Sequence, residues 1–167
     1  MPDLLSPEDR LRIADLLTRY SWALDTGDLE GLVDCFTTDG EVLEEVFEEA
    51  DHWRGHAGIH ALGRHYFSAP NFPGRQHHVG TTRFLAVTAE RCTAQSYVFV
   101  TECRGEPPYL LRFTGYYEDE LVKTQARWLI RRRTIRLWDG PVLAKFPGRG
   151  TWTPRQRPPE LAIKKNT

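Results

Sequence analysis

Apolar residues at Leu11, Ile13, Leu16, Leu17, Tyr20, Ala23 and Leu24 recur with a helical period through SPEDRLRIADLLTRYSWALDTGD. Ser6 is placed to cap this helix, Pro7 to take its first position, and Asp9 stands three residues after the cap. Gly27 closes it. Asp28 is positioned to cap a second, shorter helix, LEGLVDCF, whose Leu29, Leu32, Val33 and Phe36 form one face, and TTDG is expected to end that helix in a turn. From EVLEEVF the pattern becomes that of a strand. A short extended piece and a turn at Gly55 then lead to a third predicted helix near Ala57–Phe67, weakened by Gly58 and Gly63.

Beyond the loop SAPNFPG, runs rich in β-branched and aromatic residues follow one another: RQHHVGTTRFLAVT, CTAQSYVFVTEC, YLLRFTGYYEDELV and RWLIRRRTIRLW. Their separators, AER, RGEPP and KTQA, are short enough only for antiparallel hairpins. Helices followed by a curved antiparallel sheet make an α+β fold. Residues 1–144 are expected to form one domain, and 145–167, rich in proline, glycine and basic side chains, a tail that wraps a neighbour or stays mobile.

Composition narrows the function classes. With 167 residues, 40% of them hydrophobic, the chain suits one well-formed core. A net charge of -1 gives no field to draw it to nucleic acid or an anionic membrane. Cys35, Cys92 and Cys103 form an odd set without C-x-x-C spacing, and are expected as buried thiols in a reducing compartment. The N-terminus has neither a signal-like nor a membrane-spanning apolar run, so a cytoplasmic location is expected.

Two features suggest proton chemistry. Asp25 falls in the last turn of the first helix, where the helix dipole disfavours an anion. Either it is part of a solvated turn, DTGD, or it accepts a hydrogen bond from a histidine ring and stabilises that ring's protonated form. His77 and His78 begin a strand, so one side chain faces the interior and the other does not. That inward ring is either a satisfied core residue or a base lining a pocket. Tyr20 lies about 140° around the helix from Asp25, so the two meet only across a cavity. Trp22 is expected as a pocket wall. His52, His56 and His60 are spaced four apart without the glutamate of an H-E-x-x-H arrangement, and no metal or other cofactor is expected. Most arginines of RWLIRRRTIRL are expected in solvent, with one of them a possible anion ligand.

The succession RYSWALDTGDLEGLVDCFTTDGEV, WRGHAGI, RQHHVGTTRF and RWLIRRRTIRLW resembles the SnoaL-like branch of the nuclear transport factor two-like superfamily over about Pro7–Asp139. The resemblance implies a cone in which a curved sheet wraps around helices and leaves a deep pocket. Similar members include scytalone dehydratase, bile acid dehydratase and hexachlorocyclohexane dehydrochlorinase, lyases without cofactors that use a histidine and an aspartate as a dyad. On this resemblance Asp25 and His77 are that dyad, and Tyr20 matches a tyrosine of the bile acid enzyme. The second tyrosine of the scytalone enzyme is replaced by Leu24, its serine and asparagine fall on Gly115 and Tyr117, and its second histidine on Glu102 or Thr101, which argues against scytalone itself as substrate.

The activity so implied is elimination from, or isomerisation of, a small hydrophobic ring-containing molecule, with His77 or Tyr20 helping the leaving group. Trp22, Trp53, Tyr97 and Phe99, together with Glu102, Phe113 and Tyr117, are expected to bind it. Other members of the superfamily suggest alternatives: an assembly subunit like the β subunits of ring-hydroxylating dioxygenases, or a polyketide cyclase or ligand-binding protein. A homodimer or homotrimer is expected.

Overall fold

The computed structural model describes residues 5–70, 72–125, 127–138, 142, 145, 156–159 and 162. Most of the expected tail, 145–167, therefore lies outside the described residues. The elements run α1 (Pro7–Thr26), α2 (Leu29–Val33), β1 (Phe36–Glu45), β2 (Asp51–Arg54), α3 (Gly55–Phe67), β3 (Arg75–Val87), β4 (Arg91–Arg104), β5 (Glu106–Thr124) and β6 (Arg127–Leu137). Helices and a single six-stranded sheet in the order β2-β1-β6-β5-β4-β3 give the expected α+β architecture. β1 runs parallel to β6, while the other neighbouring strands are antiparallel.

α1 begins where the sequence indicates. The Ser6 hydroxyl accepts from the Asp9 backbone N–H at 3.0 Å, a cap contributing about 1 kcal/mol. Gly27 ends it with φ +76°, a left-handed conformation that glycine adopts without strain, and this turn fixes the end of the helix beside Asp25. Ile13, Leu16, Leu17, Tyr20, Ala23 and Leu24 are buried, but Leu11, expected in the same stripe, is exposed because no element covers that flank of the first turns.

The second helix is shorter than expected. α2 stops at Val33, and Phe36 together with TTDG already belongs to β1. The edge of β6 explains the correction: Ile130 N–H donates to the Cys35 carbonyl and Phe36 pairs with Ile130, so strand pairing recruits the segment that local turn propensity assigned to a loop.

Register shifts interrupt the β3–β4, β4–β5 and β5–β6 ladders, and such irregularities bend and twist a sheet. At Gly115 a side chain would run into the Arg136 carbonyl and the Phe113 ring, so the tight approach of β5 to β6 requires glycine there. The curled sheet and α1 enclose a core built on Ile13, Leu16, Leu32, Val42, Ile59 and Ile130. Cys35 and Cys92 are buried, and burial pushes their thiols up to about 11 and about 12. Cys103, expected to be buried too, is exposed near the end of β4. No helix among the described residues is long and apolar enough to cross a membrane.

Candidate functional site

The curl of the sheet forms a part-open cavity of about 150 Å³. Tyr20 and Leu24 reach it from α1, His77 from β3, Phe113 and Tyr117 from β5, and Glu44 from β1. Strand alternation sends His77 inward and His78 outward. His78 is exposed, stacks on Phe99 with ring centroids 4.5 Å apart, and shares a 3.0 Å hydrogen bond with Thr101.

Asp25 and His77 are joined twice. The His77 backbone N–H donates to Asp25 Oδ2 at 2.8 Å, and Nδ1 lies 2.5 Å from Oδ1. Both side chains are mostly buried, at 16% and 11% exposure, without being sealed. With Nδ1 held by the carboxylate, Nε2 is the ring nitrogen available to the cavity. The backbone bond also fixes the strand end against α1, so the imidazole is positioned by its own main chain as well as by its ring.

Tyr20 lines the same cavity and is 1% exposed. Its ring lies on the Arg133 guanidinium, 4.0 Å from the centroid, and Tyr117 flanks the same cation at 4.1 Å. Arg133 pairs through two nitrogens with Asp119, each at 2.8 Å, and both partners are fully buried. Burial opposes the guanidinium's charge, yet the Asp119 carboxylate holds its pKa above the usual arginine value. Burial pushes the Tyr20 hydroxyl up to about 12, so it stays neutral and able to donate at ordinary pH.

Some expected binding residues lie elsewhere. Trp22 is 69% exposed, Tyr97 50% and Phe99 45%. They stand on the outer surface, away from the cavity, because their phase on α1 and β4 is opposite to that of the inward residues. The structure thus places them outside this cavity, along an open outer groove that His77 and His78 also border. Trp53 stands behind the wall and donates from Nε1 to Glu44 Oε2 at 2.9 Å. Glu102 is buried, 2.5 Å from Arg112 Nε and 3.9 Å from Arg75 Nε, and both arginines line the cavity. Phe113 and Tyr117 do form part of the wall.

Polar groups of β1 and β6 are buried beside the site without having stood out in the sequence. Glu44 is buried in the cavity wall, and Tyr66 from α3 meets its Oε1 at 2.5 Å. A signal was present: in VLEEV, Glu44 alternates in phase with Val42 and Val46, which puts a carboxylate on an apolar face. Arg133, expected in solvent with its neighbours, is buried because it faces Asp119 in the β5–β6 register. His52, His56 and His60 have separate partners, Glu41, the Phe36 carbonyl and Glu30. Among the described residues no group of three or more histidine, cysteine or acidic side chains is placed to hold a metal ion.

Residues 6–134 match the family described as a SnoaL-like domain. Solved structures of similar fold include a protein of unknown function from Mycobacterium tuberculosis, at 26% identity and a TM-score of 0.70, covering 82% of this chain and 80% of that one. An NTF2-like protein with a cystatin-like fold from Novosphingobium aromaticivorans shares 27% identity at a TM-score of 0.68, over 83% of this chain and 87% of that one. A protein provisionally described as a scytalone dehydratase, from the same organism, shares the fold at 22% identity and a TM-score of 0.66, over 79% and 85% of the two chains. No curated protein matches the chain at a significant level.

Proposed function

The chain belongs to the SnoaL-like domain family, and on that premise we propose that it is a cofactor-independent lyase or isomerase for a small, hydrophobic, ring-containing molecule. The observation that carries this reading is His77, held by Asp25, on the wall of a part-open cavity whose apolar lining is interrupted by Glu44, Arg75 and Arg112. His77 Nε2 is the base: it removes a carbon-bound proton made acidic by an adjacent carbonyl. Asp25 keeps the ring in one tautomer and stabilises the imidazolium that forms. Tyr20, neutral and buried, donates to the carbonyl oxygen as negative charge develops there.

Loss of a group β to the carbonyl completes an elimination, whereas return of the proton to another carbon completes an isomerisation. General acid–base assistance is worth roughly 10²- to 10⁴-fold. Positioning in the cavity supplies much of the rest. In an assembly subunit Asp25 and His77 would be structural, and co-purification with a larger iron-containing subunit would favour that alternative. A homo-oligomer is also part of the proposal, supported by the exposed Tyr97, Phe99 and Trp138 on the outer surface.

The direct test is His77→Ala, assayed with an α-tetralone carrying a hydroxyl β to its carbonyl, which yields fluorescent α-naphthol on elimination. Turnover by the wild-type protein and its loss in a folded variant are expected. Undiminished turnover in the variant would remove His77 as the base.

A further inference from the structure

We propose that Tyr66 and Glu44 are the proton-donating half of this site: Tyr66 gives its hydroxyl proton to the departing oxygen of the substrate, and Glu44 replaces it from Oε1. This inference rests on the elimination reading and adds to it the group that the base alone does not supply.

The sheet order explains the placement. β1 and β3 are separated by β6, β5 and β4, yet Glu44 on β1 and His77 on β3 line one cavity, because the sheet curls until these strands face each other. Base and donor therefore share one cavity, with the rings of Tyr66 and His77 each packed against Phe72, at 5.2 and 6.1 Å. In the resting site the Glu44 carboxyl accepts at both oxygens, from Trp53 Nε1 at Oε2 and from the Tyr66 hydroxyl at Oε1; the relay runs when that hydroxyl turns to the substrate and Glu44 donates in its place. Trp53 has only a donor to offer, so it stabilises the carboxylate that remains after the proton has left. A separation of 2.5 Å between Tyr66 and Glu44 suits passage of a proton along the pair.

Burial keeps Glu44's pKa above the ordinary 4.5, against the lowering effect of Tyr66, of Trp53 and of the Arg157 charge. Burial, reinforced by Glu44, raises the Tyr66 phenol well above its ordinary value. An isolated Tyr66 phenolate is thus a poor end state, whereas a relay leaves the charge on Glu44. Tyr20 is differently equipped, since the carboxylate nearest its cation, Asp119, is committed to Arg133 through both oxygens.

The step balances as follows. His77 Nε2 takes the proton α to the carbonyl, and the C–H electron pair becomes the new C=C bond. The β C–O bond breaks, its pair stays with oxygen, and that oxygen takes the Tyr66 proton to leave as water. Tyr66 recovers a proton from Glu44. The His77 imidazolium and Glu44 carboxylate that remain are reset when solvent carries one proton from the first to the second.

The test uses the full chain and two ketones, the β-hydroxy-α-tetralone above and its β-acetoxy counterpart, whose leaving acetate needs no proton. Expected are losses of roughly 10²- to 10⁴-fold on the hydroxy ketone in both Glu44→Gln and Tyr66→Phe, with less than about a tenfold loss on the acetoxy ketone. In His77→Gln both ketones should be affected. Infrared difference spectra of wild type against Glu44→Gln should show a neutral carboxyl at neutral pH. Equal losses on both ketones in the Glu44 and Tyr66 variants, or an ionised Glu44, would overturn the donor assignment while leaving the base in place. Acetoxy turnover that survives His77→Gln, or a wild-type protein that converts neither ketone, would instead contradict the elimination reading.

Discussion

Two aspartates each use both carboxylate oxygens to hold a basic residue, yet their surroundings differ. Asp119 meets Arg133 directly across β5 and β6, and the pair is sealed, with no exposed surface and an aromatic ring of Tyr20 and of Tyr117 on the guanidinium. Asp25 meets His77 between a helix end and a strand end, at the wall of a cavity, with part of each side chain accessible. In the first pair two hydrogen bonds and two aromatic faces hold the charges in the interior, and Asp119 helps keep the proton on Arg133. In the second, one oxygen takes a backbone N–H, the other fixes a ring nitrogen, and a titratable nitrogen is left over. Sealing makes a foundation; partial opening makes a site.

Separating these roles should break them apart experimentally. Asp119→Ala strands a buried guanidinium and should cost about 3–5 kcal/mol in chemical denaturation. Replacing both partners by apolar residues of similar volume should cost much less, because neither charge is then left alone. His77→Gln should have the converse profile: catalysis falls roughly 10²- to 10⁴-fold while the unfolding midpoint stays near that of the wild type. If His77→Gln unfolds the protein and Asp119→Ala does not, the assignment of foundation and site is reversed.

The strength of that contrast was only half legible in the sequence. Asp25 beside Gly27 conflicts with its helix end, and the histidine doublet at a strand start forces an inside–outside choice, so the open pair announces itself locally. The sealed pair does not. Asp119 and Arg133 each resemble ordinary surface charges until the β5–β6 register sets them opposite one another. Glu44 was likewise masked by its neighbour Glu45, although its phase with Val42 and Val46 was readable. Trp22 and Leu11 show the opposite failure: an apolar residue on a helix is buried only where another element arrives to cover it. Likewise β1 starts earlier than TTDG suggests, because β6 offers it an edge to pair with.

Two other carboxyls refine the comparison through pH. The hydrogen bonds of Lys123 and then Trp128 hold Asp9 below its ordinary 3.8. Its contribution to stability is therefore present above about pH 3.8 and lost as the pH falls through the folded value. Glu44 has the opposite sign. Its folded pKa lies above the ordinary 4.5, so the associated stability is complete below about 4.5 and declines as the pH rises through the folded value. Urea midpoints measured across the pH range should lose part of their slope below about pH 3.8 in Asp9→Asn and part of their slope above about pH 4.5 in Glu44→Gln. The smallest effect belongs to the outer surface: Trp22→Ala should leave turnover unchanged and shift stability by no more than about 0.5 kcal/mol.

Proton abstraction by His77 is measured most directly without any leaving group at all. In deuterium oxide, unsubstituted α-tetralone should exchange its α-protons faster with the wild-type protein than in buffer, followed by NMR. That acceleration should vanish in His77→Gln and persist in Trp22→Ala. Equal exchange with wild type and His77→Gln, in samples shown to be folded, would contradict His77 as the base.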